Sequence, residues 1–179
     1  MFDEQKPAGC WQAIVPILMI GLLVVYGAVA VGAGDPFFFI GGVSGEVSEA
    51  IVYDHGRMYV IKPGGKGFDQ IVKTAHEQLP KVVASPLIGT SNVTVDGTIR
   101  KKNLALELRY KSKGFVHSNY NIGSFDRLII PLDGVEAQDN VYFTAYIDLD
   151  KNEVWVAKAP QLQTESMDRI RKVINDAGY

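Results

Sequence analysis

Residues 13–33 read AIVPILMIGLLVVYGAVAVGA, and this stretch decides what kind of molecule the chain is. No residue from Pro7 to Gly34 carries a charge. A helix rises about 1.5 Å per residue, so about 20 apolar residues cross a hydrocarbon core of about 30 Å. The stretch therefore predicts a single transmembrane helix over 13–34, preceded by a short N-terminal tail over 1–12.

An uncleaved signal-anchor is favoured over a cleaved signal peptide. The segment before the stretch, MFDEQK, is not net basic, and the apolar run is longer than the core of a usual secretory signal. Ala28-Val29-Ala30 nevertheless has the small residues of a cleavage site. A cleaved signal therefore stays open as an alternative, and so does a buried hydrophobic hairpin.

Flanking residues predict how the helix sits in the membrane. Lys6 is the only Lys or Arg before it, and none occurs from Asp35 to Gly56. Because cytoplasmic flanks carry the excess of basic residues, we expect the N-terminus in the cytoplasm and the C-terminal domain outside it. The aromatic residues expected at the membrane interface are Trp11, Phe37, Phe38 and Phe39.

The expected partners are the lipid bilayer and another protein. Ala28 and Gly32 form a small-xxx-small pair, which lets a second membrane helix approach closely. The simpler interpretation is that such residues are common in membrane helices. Lys plus Arg number 18 against 20 Asp plus Glu, so the chain has no strong positive field and we expect no nucleic-acid partner.

The remainder predicts a juxtamembrane linker over 35–46 and one soluble α+β domain over 47–179. Alternating and helical periodicities predict the order β-β-α-β-β-β-β-β-α. Short connections favour a mostly antiparallel sheet with both helices on one face. The predicted helices are 68–79 and 164–177, and the predicted strands are 47–53, 57–62, 92–99, 104–110, 128–132, 141–148 and 153–159. Pro131 suggests that the strand over 128–132 is an edge strand or contains a bulge.

A loop predicted over 111–124 is the candidate interaction site. It combines aromatic residues with Gly, Ser and Asn, as recognition loops do. A basic cluster that includes 100–102 precedes it, and solvated side chains, lipid headgroups or an acidic partner would each account for that cluster. The partner-binding residues of this hypothesis are Phe115, His117, Tyr120, Arg109, Lys111 and Lys113.

Motifs for catalysis or metal binding are weak. The glycines of 64–67 do not have phosphate-loop spacing, and Asp148 to Glu153 lacks the glycine of a calcium loop. The only cysteine, Cys10, precedes the apolar run, so the domain can form no disulfide or cysteine zinc site. We therefore expect no metal and no cofactor, and no catalytic residue is identified.

Two functional interpretations follow. The first is a single-pass membrane-anchored protein with an extracytoplasmic interaction domain, a non-enzymatic accessory or binding subunit. The second is a tethered or secreted enzyme or small-ligand-binding domain with a site near the 111–124 loop. A deep apolar pocket would favour the second, and a flat exposed patch would favour the first.

Overall fold

The structure is a computed structural model that describes residues 11–33, 36–37, 42–79, 88–89, 95–117, 124–138, 141–146, 153–158 and 164–179. Its helices are α1 (Trp11–Ala33), α2 (Phe68–Gln78) and α3 (Thr164–Ala177). Its strands are β1 (Gly42–Ser44), β2 (Val47–Asp54), β3 (Arg57–Ile61), β4 (Ile88–Gly89), β5 (Leu104–His117), β6 (Ser124–Pro131), β7 (Val141–Tyr146) and β8 (Glu153–Lys158). A short helical segment spans 95–102, and Val135–Gln138 forms a 3-10 turn.

Helix α1 is apolar over nearly all of its length and lies outside the domain core. Its window Ile14–Gly32 has a mean hydropathy of 2.7, and none of that window is buried inside the protein. Pro16 lies near the start of the helix, where a missing N–H costs little. The prediction of one N-terminal helix that is long and apolar enough to cross a membrane is confirmed.

The eight strands form one antiparallel sheet in the order β3-β2-β5-β6-β7-β8-β4, with β1 paired to β5 as well. Strand β5 is the longest, with 14 residues. Its first half pairs with β2 and its last three residues pair with β1. The sheet therefore has two distinct ends, which we call the turn end (the β2–β3 turn and Leu104) and the anchor end (β1 and Phe115–His117).

Helices α2 and α3 cover one face of the sheet, which we call the helix face. Their apolar stripes, at three- and four-residue spacing, pack against alternate residues of β2, β5 and β6. The buried helix residues are Phe68, Ile71, Ala75, Leu79, Met167, Ile170, Ile174 and Ala177, and their strand partners include Val52, Leu106, Leu108, Leu128 and Ile130. The predicted α+β class, with both helices on one face, is confirmed.

The opposite face of the sheet is partly covered as well, by the helical segment 95–102. Val95 and Ile99 from that segment are fully buried against Ile51, Tyr53 and Ile129 of the sheet. The strand predicted over 92–99 is therefore wrong in the described part. Val95 and Ile99 are four residues apart, so a helical turn brings both side chains onto the sheet together.

The predicted loop over 111–124 is wrong in its first half, because β5 continues to His117. Its side chains are mostly polar, but its last residues are paired, Gly114 and Phe115 with β6 and Phe115–His117 with β1. The same pairing places a strand at 42–44, inside the segment predicted as a linker. Residues 118–123 lie outside the described residues.

Pro131 does not mark an edge strand. Strand β6 lies inside the sheet between β5 and β7, and Pro131 is its last residue, opposite Ala105. At a strand terminus the missing N–H removes no ladder hydrogen bond further along. The described hairpin β7–β8 confirms the predicted pair over 141–146 and 153–158.

Candidate functional site

A fully buried carboxylate lies at the centre of the opposite face. Glu107 is on β5 between Ala105 and Arg109, and its side chain has no exposed surface. Its Oε2 accepts hydrogen bonds from the Tyr53 hydroxyl at 2.9 Å and from Nε and Nη2 of Arg100 at 3.0 and 2.7 Å. Its Oε1 accepts one from Nε of Arg109 at 3.0 Å.

Two further carboxylates complete this cluster at its solvent side. Asp96 accepts a hydrogen bond from Arg100, and Glu49 lies 3.5 Å from Nη1 of Arg109. The Arg100 guanidinium also lies 5.7 Å from the centre of the Tyr53 ring, within cation–π range. Both arginines therefore bridge a buried carboxylate and a more exposed one.

The electrostatics of the cluster favour the hydrogen bonds within it. Burial and then the negative charge of Glu107 raise the pKa of Tyr53 to about 12, so its hydroxyl stays a proton donor at neutral pH. All four donors point at one carboxylate that has no exposed surface. A substrate cannot reach this carboxylate, so the cluster serves to join β2, β5 and the segment 95–102.

A second polar group lies at the turn end of the sheet. His55 and Gly56 form the β2–β3 turn with φ of 48° and 93°, the left-handed pair that a two-residue hairpin needs. The exposed His55 ring lies between two carboxylates, with Nδ1 2.8 Å from Asp54 and Nε2 3.2 Å from Asp133. Asp133 also accepts the backbone N–H of Leu104 at 2.7 Å, which ties the turn to the end of β6.

A second histidine environment lies on the helix face. His76 of α2 stacks on Tyr110 with an angle of 8° between the rings, and its Nε2 lies 3.0 Å from the Tyr110 hydroxyl. Phe125 meets the same tyrosine edge-on at 5.2 Å. Burial lowers the pKa of His76. His76 is thus a packing residue whose imidazole ring is neutral.

We expect the two histidines to titrate on opposite sides of the ordinary histidine value of about 6.5. The hydrogen bond with Asp54, helped by the charge of Asp133, raises the pKa of His55, whereas burial lowers that of His76. The His55 contribution to stability is therefore full at low pH and is lost as pH rises through its folded-state pKa. The His76 contribution is lost as pH falls below about 6.5.

Two-dimensional NMR of the imidazole resonances checks both signs. Asp54→Asn should move the His55 midpoint down and leave His76 where it is. A His55 midpoint that does not respond to Asp54→Asn would contradict the assignment of its shift to that hydrogen bond.

The structure separates the sequence-predicted partner residues. Lys111, Lys113 and Phe115 are exposed on β5, and His117 is half-buried at its end. Arg109 turns toward Glu107 and Glu49, as described above. The basic cluster predicted from 100–113 is therefore divided, with Arg100 and Arg109 in internal ion pairs and the lysines at the surface. Tyr120 lies outside the described residues.

The anchor end of the sheet contacts the chain that leaves α1. The Tyr26 hydroxyl donates a hydrogen bond to the Pro36 carbonyl. Phe37 then meets the ring of His117 edge-on, with 6.1 Å between the ring centres. Of the predicted interface aromatics, Trp11 and Phe37 are exposed, while Phe38 and Phe39 lie outside the described residues. Ala28 and Gly32 are both exposed on α1.

Sequence reasoning missed Glu107 and Tyr53, because alternation in residues 104–110 puts Glu107 on the face opposite the leucines without showing that this face is covered. A signal was present in the neighbouring strands, where Ile51, Tyr53 and Ile129 are apolar on that same face. Within the described ranges, no group of three or more His, Cys, Asp or Glu side chains is arranged to hold a metal ion. The calcium-like segment from Asp148 lies mostly outside them.

The chain thus consists of one exposed apolar helix followed by an antiparallel α+β domain with a closed ionic cluster. Compared with known proteins, it matches no family model, no curated protein and no solved structure.

Proposed function

We propose that this is a single-pass membrane-anchored protein whose extracytoplasmic α+β domain acts as a non-enzymatic binding or accessory subunit. The observation that carries the proposal is the exposure of α1, whose apolar window has no buried part. Soluble proteins rarely expose apolar patches larger than a few hundred Å². Each exposed leucine or valine of this helix gains about 1.5–3 kcal/mol on transfer out of water, so a bilayer is its natural surrounding.

The direction of insertion rests on the flanking charges. Lys6 precedes the helix, and the next basic residue in the chain is Arg57. The basic-residue bias supports a cytoplasmic N-terminus and an outer domain. Contact with another membrane helix through Ala28 and Gly32 is part of the proposal, since both are exposed on α1.

A binding role is favoured over catalysis by the direction of the charged side chains. The strongest group of them, around Glu107, is turned inward and makes bonds within the domain. The competing interpretation needs a site between the sheet and a long loop over 111–124. Strand β5 occupies the first half of that segment, which weakens the case for such a site.

We expect the intact chain to remain in the membrane pellet after an alkaline wash, because α1 crosses the bilayer. The measurement is fractionation with an intact mass of the pelleted protein. A soluble product that begins near Val31 would show that the helix is a cleaved signal and would end the proposal.

Orientation has its own measurement, because Cys10 is the only cysteine and precedes α1. In intact cells an impermeant maleimide should leave Cys10 unlabelled. It should label a cysteine placed at exposed Met58 in a Cys10→Ser background. The reverse pattern would place the domain in the cytoplasm.

A further inference from the structure

The segment after α1 folds back onto the end of the helix. Tyr26 lies two turns before the helix ends at Ala33, and helical side chains lean toward the N-terminus. Its hydroxyl nevertheless bonds the Pro36 carbonyl. Pro36 therefore lies beside the last two turns of α1 and not further along the helix axis.

The next residues join this level to the anchor end of the sheet. Phe37 follows directly and contacts the ring of His117, the last residue of β5. After four further residues, β1 begins and pairs Gly42–Ser44 with Phe115–His117. Two successive contacts thus link the end of β5 to the last turns of α1.

The side chains exposed at this end have the chemistry of a membrane interface. Phe37 and Phe115 each leave 53% of their surface exposed. Lys111 and Lys113 precede Phe115 on the same strand and are exposed too. Lys111 lies 3.4 Å from Glu46, but both side chains are about 70% exposed, so water screens the pair. Aromatic rings and lysines with long apolar stems favour the headgroup region.

We propose that the anchor end of the sheet rests on the bilayer, with Phe37 and Phe115 in the headgroup region and Lys111 and Lys113 facing lipid phosphates. This inference rests on the proposed function, because α1 is what brings the surface to the membrane. It goes further because it fixes the orientation of the domain relative to the membrane. The turn end begins at Leu104, eleven residues from Phe115 along β5, so it stands up to roughly 35 Å from the lipid.

Spin-label accessibility tests this orientation on the full chain reconstituted in lipid vesicles. In a Cys10→Ser background, one label is placed at Phe115→Cys and a matched control label at Met58→Cys. Met58 is an exposed apolar residue opposite Tyr53, at the turn end. We expect the Phe115 label to lose collisions with a water-soluble nickel chelate and to gain collisions with oxygen, relative to the Met58 label.

The lysines provide a second measurement. In vesicles with anionic lipid, Lys111→Gln combined with Lys113→Gln should raise the nickel accessibility of the Phe115 label, because the phosphates lose their partners. The same change should leave the Met58 label unaltered.

Equal accessibility of the two labels in floated vesicles would overturn the proposed orientation of the domain. The proposal that α1 anchors the chain would still stand. Protection of Phe115 in native membranes but not in pure lipid would overturn it in favour of a protein partner. Failure of the chain to float with vesicles would instead refute the anchor itself.

Discussion

Glu107→Ala is expected to lower the free energy of unfolding by about 3 kcal/mol, the lower part of the range for breaking a buried ion pair. The Arg100 side chain is only 20% exposed, and the change removes its main partner. The change also removes the acceptor of the Tyr53 hydroxyl. The loss is moderated by Arg109, whose side chain is 40% exposed and can turn to water. Urea unfolding of the domain, followed by circular dichroism in detergent, measures it.

Glu49→Ala is the matched control. Glu49 pairs with the same Arg109, but its side chain is 29% exposed and the contact is 3.5 Å long. Its removal should cost less than about 1 kcal/mol, as for other exposed pairs. Equal losses for the two variants would mean that burial of Glu107 is not what makes its ion pairs important.

A double-mutant cycle separates the charge effect from the cavity effect. If the loss arises because Arg100 is left unpaired, Glu107→Ala combined with Arg100→Ala should cost clearly less than the sum of the single changes. Strict additivity would instead assign the loss to the space that the carboxylate vacates.

Gly67→Ala should produce the second large effect, a loss of about 2–5 kcal/mol in the free energy of unfolding, through two additive terms. Gly67 has a φ of 75°, and a side chain there costs about 1–2 kcal/mol. A Cβ at this position would also lie 2.5 Å from the Cβ of Ala177, where the start of α2 meets the end of α3. Overlap of that kind adds about 1–3 kcal/mol.

Gly64→Ala isolates the backbone term. Gly64 has a φ of 80° in the same turn, but a Cβ there would meet nothing within 4 Å. Gly64→Ala should therefore lower the free energy of unfolding only by the backbone term, which is the smaller loss. Ala177→Gly in the Gly67→Ala background should recover part of the difference. Identical losses at Gly64 and Gly67 would show that α2 and α3 do not meet as closely as described.

Local patterns predicted much of the fold correctly. The stripes of α2 and α3 depend on residues three and four apart, such as Ile170 and Ile174, and these repeats lie within one element. The hairpin at His55-Gly56 depends equally on neighbours. These patterns can be recognised without knowing which distant residues pack against the element, so a single sequence is enough to predict them.

The errors arose where distant segments decide the structure. Residues 111–117 are mostly polar and contain Gly114, yet β5 continues through them, because β6 pairs with Gly114 and Phe115 and β1 pairs with Phe115–His117. Val95 and Ile99 fit either a strand or a helix on their own, and the apolar face at Ile51 and Ile129 selects the helix.

The site was harder to predict than the fold for the same reason. The inward direction of Glu107 depends on Arg100, seven residues away, and on Tyr53, which is 54 residues away along the chain. Alternation within β5 sorts its residues onto two faces but does not say that both faces are covered. Exposure of Lys111 and Phe115 was expected, and the position of Phe115 beside β1 followed only from the strand pairing.

The contact between Gly67 and Ala177 also has a consequence for biosynthesis. Helix α2 lies near the start of the domain and α3 follows the last described strand, so the layer over the helix face is complete only when α3 has been made. In the anchored protein proposed here, α1 leaves the ribosome before the domain and enters the membrane, and the domain follows over roughly 10–30 s at normal synthesis rates. The domain therefore spends that time as an unfinished sheet tethered beside the bilayer, where chaperones of that compartment have their opportunity to act.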